Sequence, residues 1–305
     1  MNILIAPDSF KGNIPAPEVC RIIAEGIHKA DNTISVYQVP LADGGEGTAK
    51  AITESRQGEF IPVKVKGPLG DPVESFIGLI DDGKTAVLDM ASASGIELIS
   101  RDQLNPMKTS SYGTGELIRA ALDRNIHEMI VGIGGSATND GGIGMLMALG
   151  YQFFDDQGNS VGEGGEALQR IAKVDMSKAH SKLKNLSVRI ACDVTNPLLG
   201  EKGASAIFGP QKGATPEMIK LLDAGLAKLK AAFVKAGLCN EDDKEGDGAA
   251  GGLGADLRIC LNAKMESGAM LVMDSAGFFD KLNDVDLVIT GEGMTDGQTA
   301  GGKLC

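Results

Sequence analysis

The chain has 305 residues, 43% of them hydrophobic and 23% charged, with a formal net charge of −12. That length buries a real core and exceeds what one compact domain comfortably holds, so two domains are expected. So acidic a balance excludes a protein built to coat nucleic acid or an anionic membrane, and it leaves any anionic ligand to a few placed cations and backbone N–H groups. The N-terminus, Met1-Asn2-Ile3-Leu4-Ile5-Ala6-Pro7-Asp8, starts directly as a strand and lacks the basic, apolar and cleavage regions of a secretory signal. No apolar run approaches the length of a membrane span. The five cysteines are scattered, odd in number and in no metal spacing, and the three histidines form no cluster, so reduced thiols and a cytoplasmic protein are expected.

Along the chain, short β-branched runs alternate with helical stretches. Ile3–Ala6 reads as a strand, and Ala16–Ala30 as a helix with Pro15 and Pro17 near its start. Val36–Leu41 is a second strand. From Val63 to Met90, short alternating runs punctuated by Gly67-Pro68, Gly70-Asp71-Pro72 and Asp82-Gly83 read as an antiparallel meander. Thr114–Asn125 is a helix, Met129–Ile133 a strand entering a glycine loop, Gly144–Leu149 a helix, and Asp155–Gly158 a hairpin turn. Val188–Asp193 is a strand. Pro216–Ala236 carries an apolar stripe at helical spacing, with Thr215 as its N-cap, and Val285–Thr290 is a last buried strand. Strand–loop–helix alternation implies parallel sheets with helices on their faces, and ligands in such sheets collect at the carboxyl ends of the strands.

The polar, glycine-bearing loops fall at those ends. Gly132-Ile133-Gly134-Gly135-Ser136-Ala137-Thr138-Asn139-Asp140-Gly141-Gly142 lets the backbone approach a ligand closely, and it adds the polar side chains of Ser136, Thr138 and Asn139. The helix start that follows favours an anion, so this segment is expected to handle a phosphate-bearing ligand. Gly132-x-Gly134-x-x-Ala137 also fits a loose dinucleotide fingerprint, but Thr138 to Gly142 delay the helix such a site needs. No Gly-x-x-x-x-Gly-Lys-Ser/Thr segment occurs, which excludes a Walker NTPase. In Pro7-Asp8-Ser9-Phe10-Lys11-Gly12, Asp8 suits a metal or a substrate hydroxyl and Lys11 an anion, although Asp-Ser before a helix is also ordinary capping. Asp43 and Glu46 sit in a glycine turn. Asp193 ends a strand, where it could take a hydroxyl proton or bind a metal with Asn196, or simply form a turn with Asn196-Pro197. Gln211-Lys212 places a cation in a loop, and Glu292 exits the last strand.

Taken in order, these segments resemble the bacterial glycerate kinase family, the type that makes 2- or 3-phosphoglycerate from D-glycerate. The matching stretches are 6–12, 40–48, 109–118, 133–142, 191–198, 209–214, 248–254 and 290–293, which together cover essentially the whole chain. The resemblance implies ATP-dependent phosphorylation of D-glycerate with Mg2+, in a cleft between two unlike α/β domains. One domain would be Rossmann-like with a mostly parallel sheet, from residues 1–66 and 284–305. The other, residues 67–283, would be an inserted α/β domain with a mixed sheet.

In that scheme Asp193, Asp43 and Lys11 are catalytic, and Asp193 also holds the metal. Gly134, Gly135, Ser136, Thr138, Asn139, Gln211 and Lys212 contact the nucleotide, and Asp8, Ser9, Glu46, Asn196 and Glu292 contact glycerate. Which hydroxyl is phosphorylated stays open. Family members run on beyond Gln298-Thr299, whereas this sequence stops at Cys305. If that is the whole protein, the first domain lacks elements and exposes a sheet edge, with poor stability, compensating homo-oligomer contacts or lost activity expected. The alternatives are a nicotinamide-dependent oxidoreductase, from the loose fingerprint, and a catalytically impaired nucleotide-binding relative.

Overall fold

The structure, a computed structural model, describes residues 1–10, 13–42, 44–45, 47–240 and 242–293. The chain opens with β1 (Asn2–Ile5), α1 (Ala16–Ala30), β2 (Ser35–Gln38) and α2 (Thr48–Ser55). Next come β3 (Glu59–Lys66), β4 (Pro72–Ile80), β5 (Thr85–Asp89), the short α3 (Ala91–Ser94) and α4 (Tyr112–Leu122). β6 (Glu128–Gly132), α5 (Ile143–Ala148), β7 (Gln152–Phe154), β8 (Lys173–Asp175) and β9 (Ser187–Ala191) follow. The remainder holds α6 (Ala204–Phe208), α7 (Pro216–Lys235), α8 (Leu253–Leu261), β10 (Lys264–Glu266), α9 (Gly268–Ser275), α10 (Phe278–Leu282) and β11 (Leu287–Ile289).

The strands form a small parallel sheet, ordered β11-β1-β2, and a six-stranded sheet ordered β10-β9-β6-β5-β4-β3. In the large sheet β10, β9, β6 and β5 are parallel, while β4 and β3 run antiparallel as the expected meander. β7 and β8 pair separately, and the bridge Phe154↔Ser160 closes the turn at Asp155–Gly158. Pairing from Glu59↔Leu79 to Lys66↔Pro72 draws β3 into the large sheet. The changeover between sheets therefore falls after α2, ahead of the expected boundary at residue 66. The cause is the tight turn at Gly67–Asp71, which folds β3 back onto β4 and carries both strands into one ladder.

Side-chain alternation sets the layers. Ile3 and Ile5 of β1 pack with Cys20 and Ala24 of α1 on the outside of the small sheet. Leu4 faces the other way, into a cluster with Ala49 and Ile52 of α2 and Leu271 and Val272 of α9. Val87 and Ile130 of the large sheet close that cluster from beneath. Their neighbours Ala86, Leu88, Met129 and Val131 face the opposite side, against Leu117 and Ile118 of α4 and Met145 and Leu146 of α5. Helix, small sheet, helices, large sheet and helices thus stack in turn. Burying one side chain such as Ile130 contributes about 1.5–3 kcal/mol.

α7 starts where Thr215 Oγ1 accepts the Met218 N–H (3.3 Å), and its stripe Leu222, Leu226, Leu229 and Phe233 is buried. α2, α3, α6, α8, α9, α10, β8 and β10 stand where no regular element was expected. Among the described residues no helix is long and apolar enough to cross a membrane.

Candidate active site

Three helix N-termini, each with unpaired N–H groups, are closed by acids. Asp89, at the end of β5, accepts the Gly47 N–H (3.0 Å) and the Ala49 N–H (2.9 Å) at the start of α2. Asp140 accepts the Gly142 N–H through Oδ1 (3.1 Å) at the start of α5. Asp193, just beyond β9, accepts the Gly268 N–H (2.9 Å) and the Ser267 hydroxyl (3.1 Å) at the start of α9, both through Oδ1. Asp193 is exposed, and among the described residues its Oδ2 takes no hydrogen bond. The anion that the helix after the glycine loop was expected to attract is therefore the chain's own Asp140.

The open part of the glycine loop lies earlier. Gly135 turns it in the left-handed region (φ +73°) and is its exposed crest, with Gly134 half-buried beside it and Ser136 just behind at 8% exposure. Carbonyls and amides on both sides are tied down: Ile96 N–H donates to Gly135 O, and Ala137 N–H to Ser94 O (2.8 and 2.9 Å). Among the described residues the amides of Gly134, Gly135 and Ser136 donate to no backbone carbonyl. A Cβ at Gly134 would lie 2.7 Å from the Gly45 Cα, so only glycine lets this loop meet the Gly44-Gly45 turn. Gly44 in turn packs on Ala191 and Gly268, which brings that turn beside the end of β9 and the start of α9, where Asp193 sits.

Beneath the crest the loop is closed. Lys212, 1% exposed, donates to Ser136 Oγ (2.7 Å) and to Thr138 O (2.6 Å). Burial pulls its ammonium down to about 7, and the charge of Asp140 opposes that fall. Asp140 is fully enclosed and accepts from the Ser111 N–H (2.8 Å) and hydroxyl (2.9 Å) as well as from Gly142. Thr138 and Asn139 are also fully enclosed. Asn139 Nδ2 donates to Ser205 Oγ (3.0 Å), while Thr138 Oγ1 and Asn139 Oδ1 have no hydrogen-bond partner among the described residues. Of the polar side chains expected to cradle phosphate, only Ser136 lies next to the exposed crest. Thr138, Asn139 and Lys212 support it from below, because Gly251 and α6 cover that side.

At the exits of the small sheet, Asp8 N–H donates to Gly291 O (2.8 Å), which sets Asp8 beside Glu292. The Asp8 carboxylate is buried and accepts the Ser9 N–H (2.6 Å). Asn196 Nδ2 donates to Lys202 O (2.8 Å) and its carbonyl accepts from Gly248 N–H, so it braces the loop after β9. Gln211 is exposed on the turn that carries Lys212. Lys11, Asp43 and Glu46 lie outside the described residues. Two further residues were not singled out in the sequence. Asp89 was hidden in an apolar run, although an acid ending the buried strand Thr85–Asp89 is its signal. Asp256 was hidden behind a second glycine loop. It is buried against Gly142, its Oδ2 has no hydrogen-bond partner among the described residues, and burial together with the charges of Asp140 and Asp247 pushes its carboxyl well up.

Residues 3–305 match the glycerate kinase family. The chain is 48% identical to a glycerate kinase of Haemophilus influenzae over 99% of its length and 80% of that protein's. It is 45% identical to the glycerate 2-kinase of Escherichia coli K12 over 100% of its length and 80% of that protein's. A crystal structure assigned to glycerate kinase 2 of Salmonella typhimurium LT2 superposes with a TM-score of 0.93 at 47% identity, covering 100% of this chain and 81% of that one. These similarities give the oxidoreductase alternative no support. On the family match, the near-complete coverage and the shared fold, the chain is an enzyme that belongs to the glycerate kinase family.

Proposed function

We propose that the chain transfers the γ-phosphoryl group of ATP to a hydroxyl of D-glycerate where the strand exits of the two sheets converge. The observation that carries the reading is the crest Gly134-Gly135-Ser136, three amides with no backbone partner among the described residues and a buried cation behind them. Successive N–H groups on a turn with a left-handed residue form an anion-binding concavity, and a cation one layer deeper adds field without blocking it. Phosphoryl transfer needs this placement and neutralisation more than covalent chemistry.

Asp193 supplies the general base. Its Oδ1 is pinned by the start of α9, which fixes the carboxylate and leaves Oδ2 to accept the proton of the attacking hydroxyl. Holding Mg2+, which usually takes one or two carboxylates with phosphates and water, is the alternative use of that oxygen, since a carboxylate oxygen committed to the ion would not take the proton. Among the described residues no group of three or more His, Cys, Asp or Glu could hold a metal ion. Mg2+, when bound, would neutralise charge on the phosphates. Asp8, Ser9, Asn196 and Glu292 would face glycerate and Gln211 the nucleotide, while Asp43, Lys11 and Glu46 keep the roles the family resemblance implies.

A coupled assay of ADP release on addition of D-glycerate to enzyme, ATP and Mg2+ tests the reading. Release that does not depend on glycerate overturns it. The name of the E. coli relative, glycerate 2-kinase, favours the 2-hydroxyl, and phosphorus NMR of the product distinguishes the 2- from the 3-phosphate.

A further inference from the structure

We propose that Asp89 is a positioning residue for the reaction: it ties the turn at Gly44–Gly47 to the base of the glycine loop, and so sets the spacing between the glycerate side of the site and its phosphate side. The inference rests on the reading that the crest Gly134–Ser136 takes the phosphates and that Asp43 and Glu46, which the sequence places in this turn, serve glycerate.

The turn begins on one sheet and is fastened to the other. Beyond β2, Val39 N–H donates to Ile5 O (2.9 Å) and Leu41 N–H to Pro7 O (3.0 Å), so the chain up to Leu41 still follows the small sheet. From Gly47 onward it is held by Asp89 of the large sheet, through Oδ2 to Gly47 N–H and Oδ1 to Ala49 N–H. Gly47, in the left-handed region (φ +90°), has no side chain with which to cap α2, and Asp89 does so from a strand 40 residues away.

The backbone of Asp89 is itself locked to the glycine loop. Asp89 pairs with Gly132 at the end of the β5–β6 ladder, and Met90 N–H donates to Gly132 O (2.9 Å). Asp89 O accepts the Ser92 hydroxyl (2.7 Å), whose oxygen accepts the Ser75 hydroxyl of β4 (2.7 Å). Carboxylate, turn and loop base meet at Gly132, where a Cβ would lie 2.9 Å from Asp89 Oδ1, 3.1 Å from Gly44 O and 3.2 Å from Gly45 O. Asp89 is buried and spends both carboxylate oxygens on the turn, so it acts through the turn rather than on substrate.

The crest has fastenings that do not pass through this side chain. Ile96 N–H holds Gly135 O, Ala137 N–H reaches Ser94 O, and the Thr109 hydroxyl donates to Ala137 O (2.9 Å). Removing the Asp89 carboxylate therefore frees the turn and leaves the crest in place, which makes its role separable from phosphate binding.

The test compares wild type, D89N and D89A. ATP affinity of the free enzyme is measured by calorimetry, and kcat and KM for D-glycerate by coupled ADP release, at a temperature where melting curves show each protein folded. In D89A kcat should fall by about a hundredfold, the cost of misplacing reacting groups by about 1 Å, while ATP binds as in wild type. D89N keeps one acceptor oxygen and should lie between the two. Wild-type kcat and KM in folded D89A mean that Asp89 only caps α2, and overturn the inference. A loss of ATP affinity that matches the loss of kcat/KM also overturns it, because Asp89 would then support the crest. Should D89A not fold, D89N is judged by the same two criteria. A wild type that binds ATP but releases no ADP on addition of glycerate fails earlier, on the reading of the site itself, and takes the inference with it.

Discussion

Asp140 and Asp193 solve the same local problem in two regions that differ in one respect. Each closes a helix N-terminus, but Asp140 is sealed beneath the glycine loop while Asp193 stands exposed where β9 ends. Asp140 spends both oxygens inside the protein, on Ser111 and on Gly142. Asp193 is exposed and uses one oxygen, while among the described residues the other takes no hydrogen bond. An acid at the mouth of a strand is therefore structural or chemical according to where its second oxygen points, and capping and catalysis coexist in one carboxylate when a single oxygen does the capping.

Substitution of Asp193 probes the exposed half of this comparison and carries the largest expected effect. D193N still accepts the Gly268 N–H, so the helix start should lose at most about 1 kcal/mol in urea titration. The missing base should cut kcat by about 10²–10⁴. Loss of activity matched by a comparable loss of stability would instead mean that Asp193 does no more than cap α9.

Next in size comes the backing of the buried half. Gly251, with φ +70°, packs so that a Cβ would meet the Thr138 carbonyl oxygen at 2.1 Å, and its own carbonyl accepts the Gly141 N–H (3.0 Å). G251A must therefore push the loop away or strain the backbone, at a cost of about 2–4 kcal/mol. A wild-type melting temperature in G251A would show that the loop is not braced from this side.

How much of this was legible in the sequence depended on whether a pattern was local. α7 could be read from Pro216 onward because its stripe and the Thr215 cap lie within one stretch of chain. The meander was visible in its Gly-Pro and Asp-Gly turns. α2 was passed over, since its cap, Asp89, comes from a distant strand rather than from its own first turn. α8 was masked by Ala250, Gly251 and Gly252, three left-handed residues that look like loop and yet open directly into a helix. In the glycine loop the residue types spoke for an anion site, but they could not say which donors are already used. Asp140, quoted in the motif and not singled out, uses up the donors of α5 that the sequence assigned to a phosphate. The burial of Lys212 was equally invisible, because Gly-Pro-Gln-Lys-Gly reads as an exposed turn until Ser136 and Thr138 fold over it.

Asp256 gives the smallest expected effect and tests the buried half by its sign. Its folded carboxyl is held well above 3.8, so the folded chain keeps a proton that the unfolded chain releases. By linkage, the contribution of Asp256 to stability falls as pH rises above the unfolded value, and it levels off once pH passes the folded one. D256N removes this proton exchange while keeping the shape against Gly142. It should match wild type or fall slightly below it near pH 4, then gain on wild type as pH rises, by about 1 kcal/mol or more at mildly alkaline pH. Urea titrations at both ends of that range decide the matter. A gap between the two proteins that does not change with pH would mean that Asp256 ionises as readily in the folded chain as in the unfolded one. The charge beneath the loop would then be shared between two carboxylates, and the contrast between a silent buried wall and an active exposed one would lose its electrostatic basis.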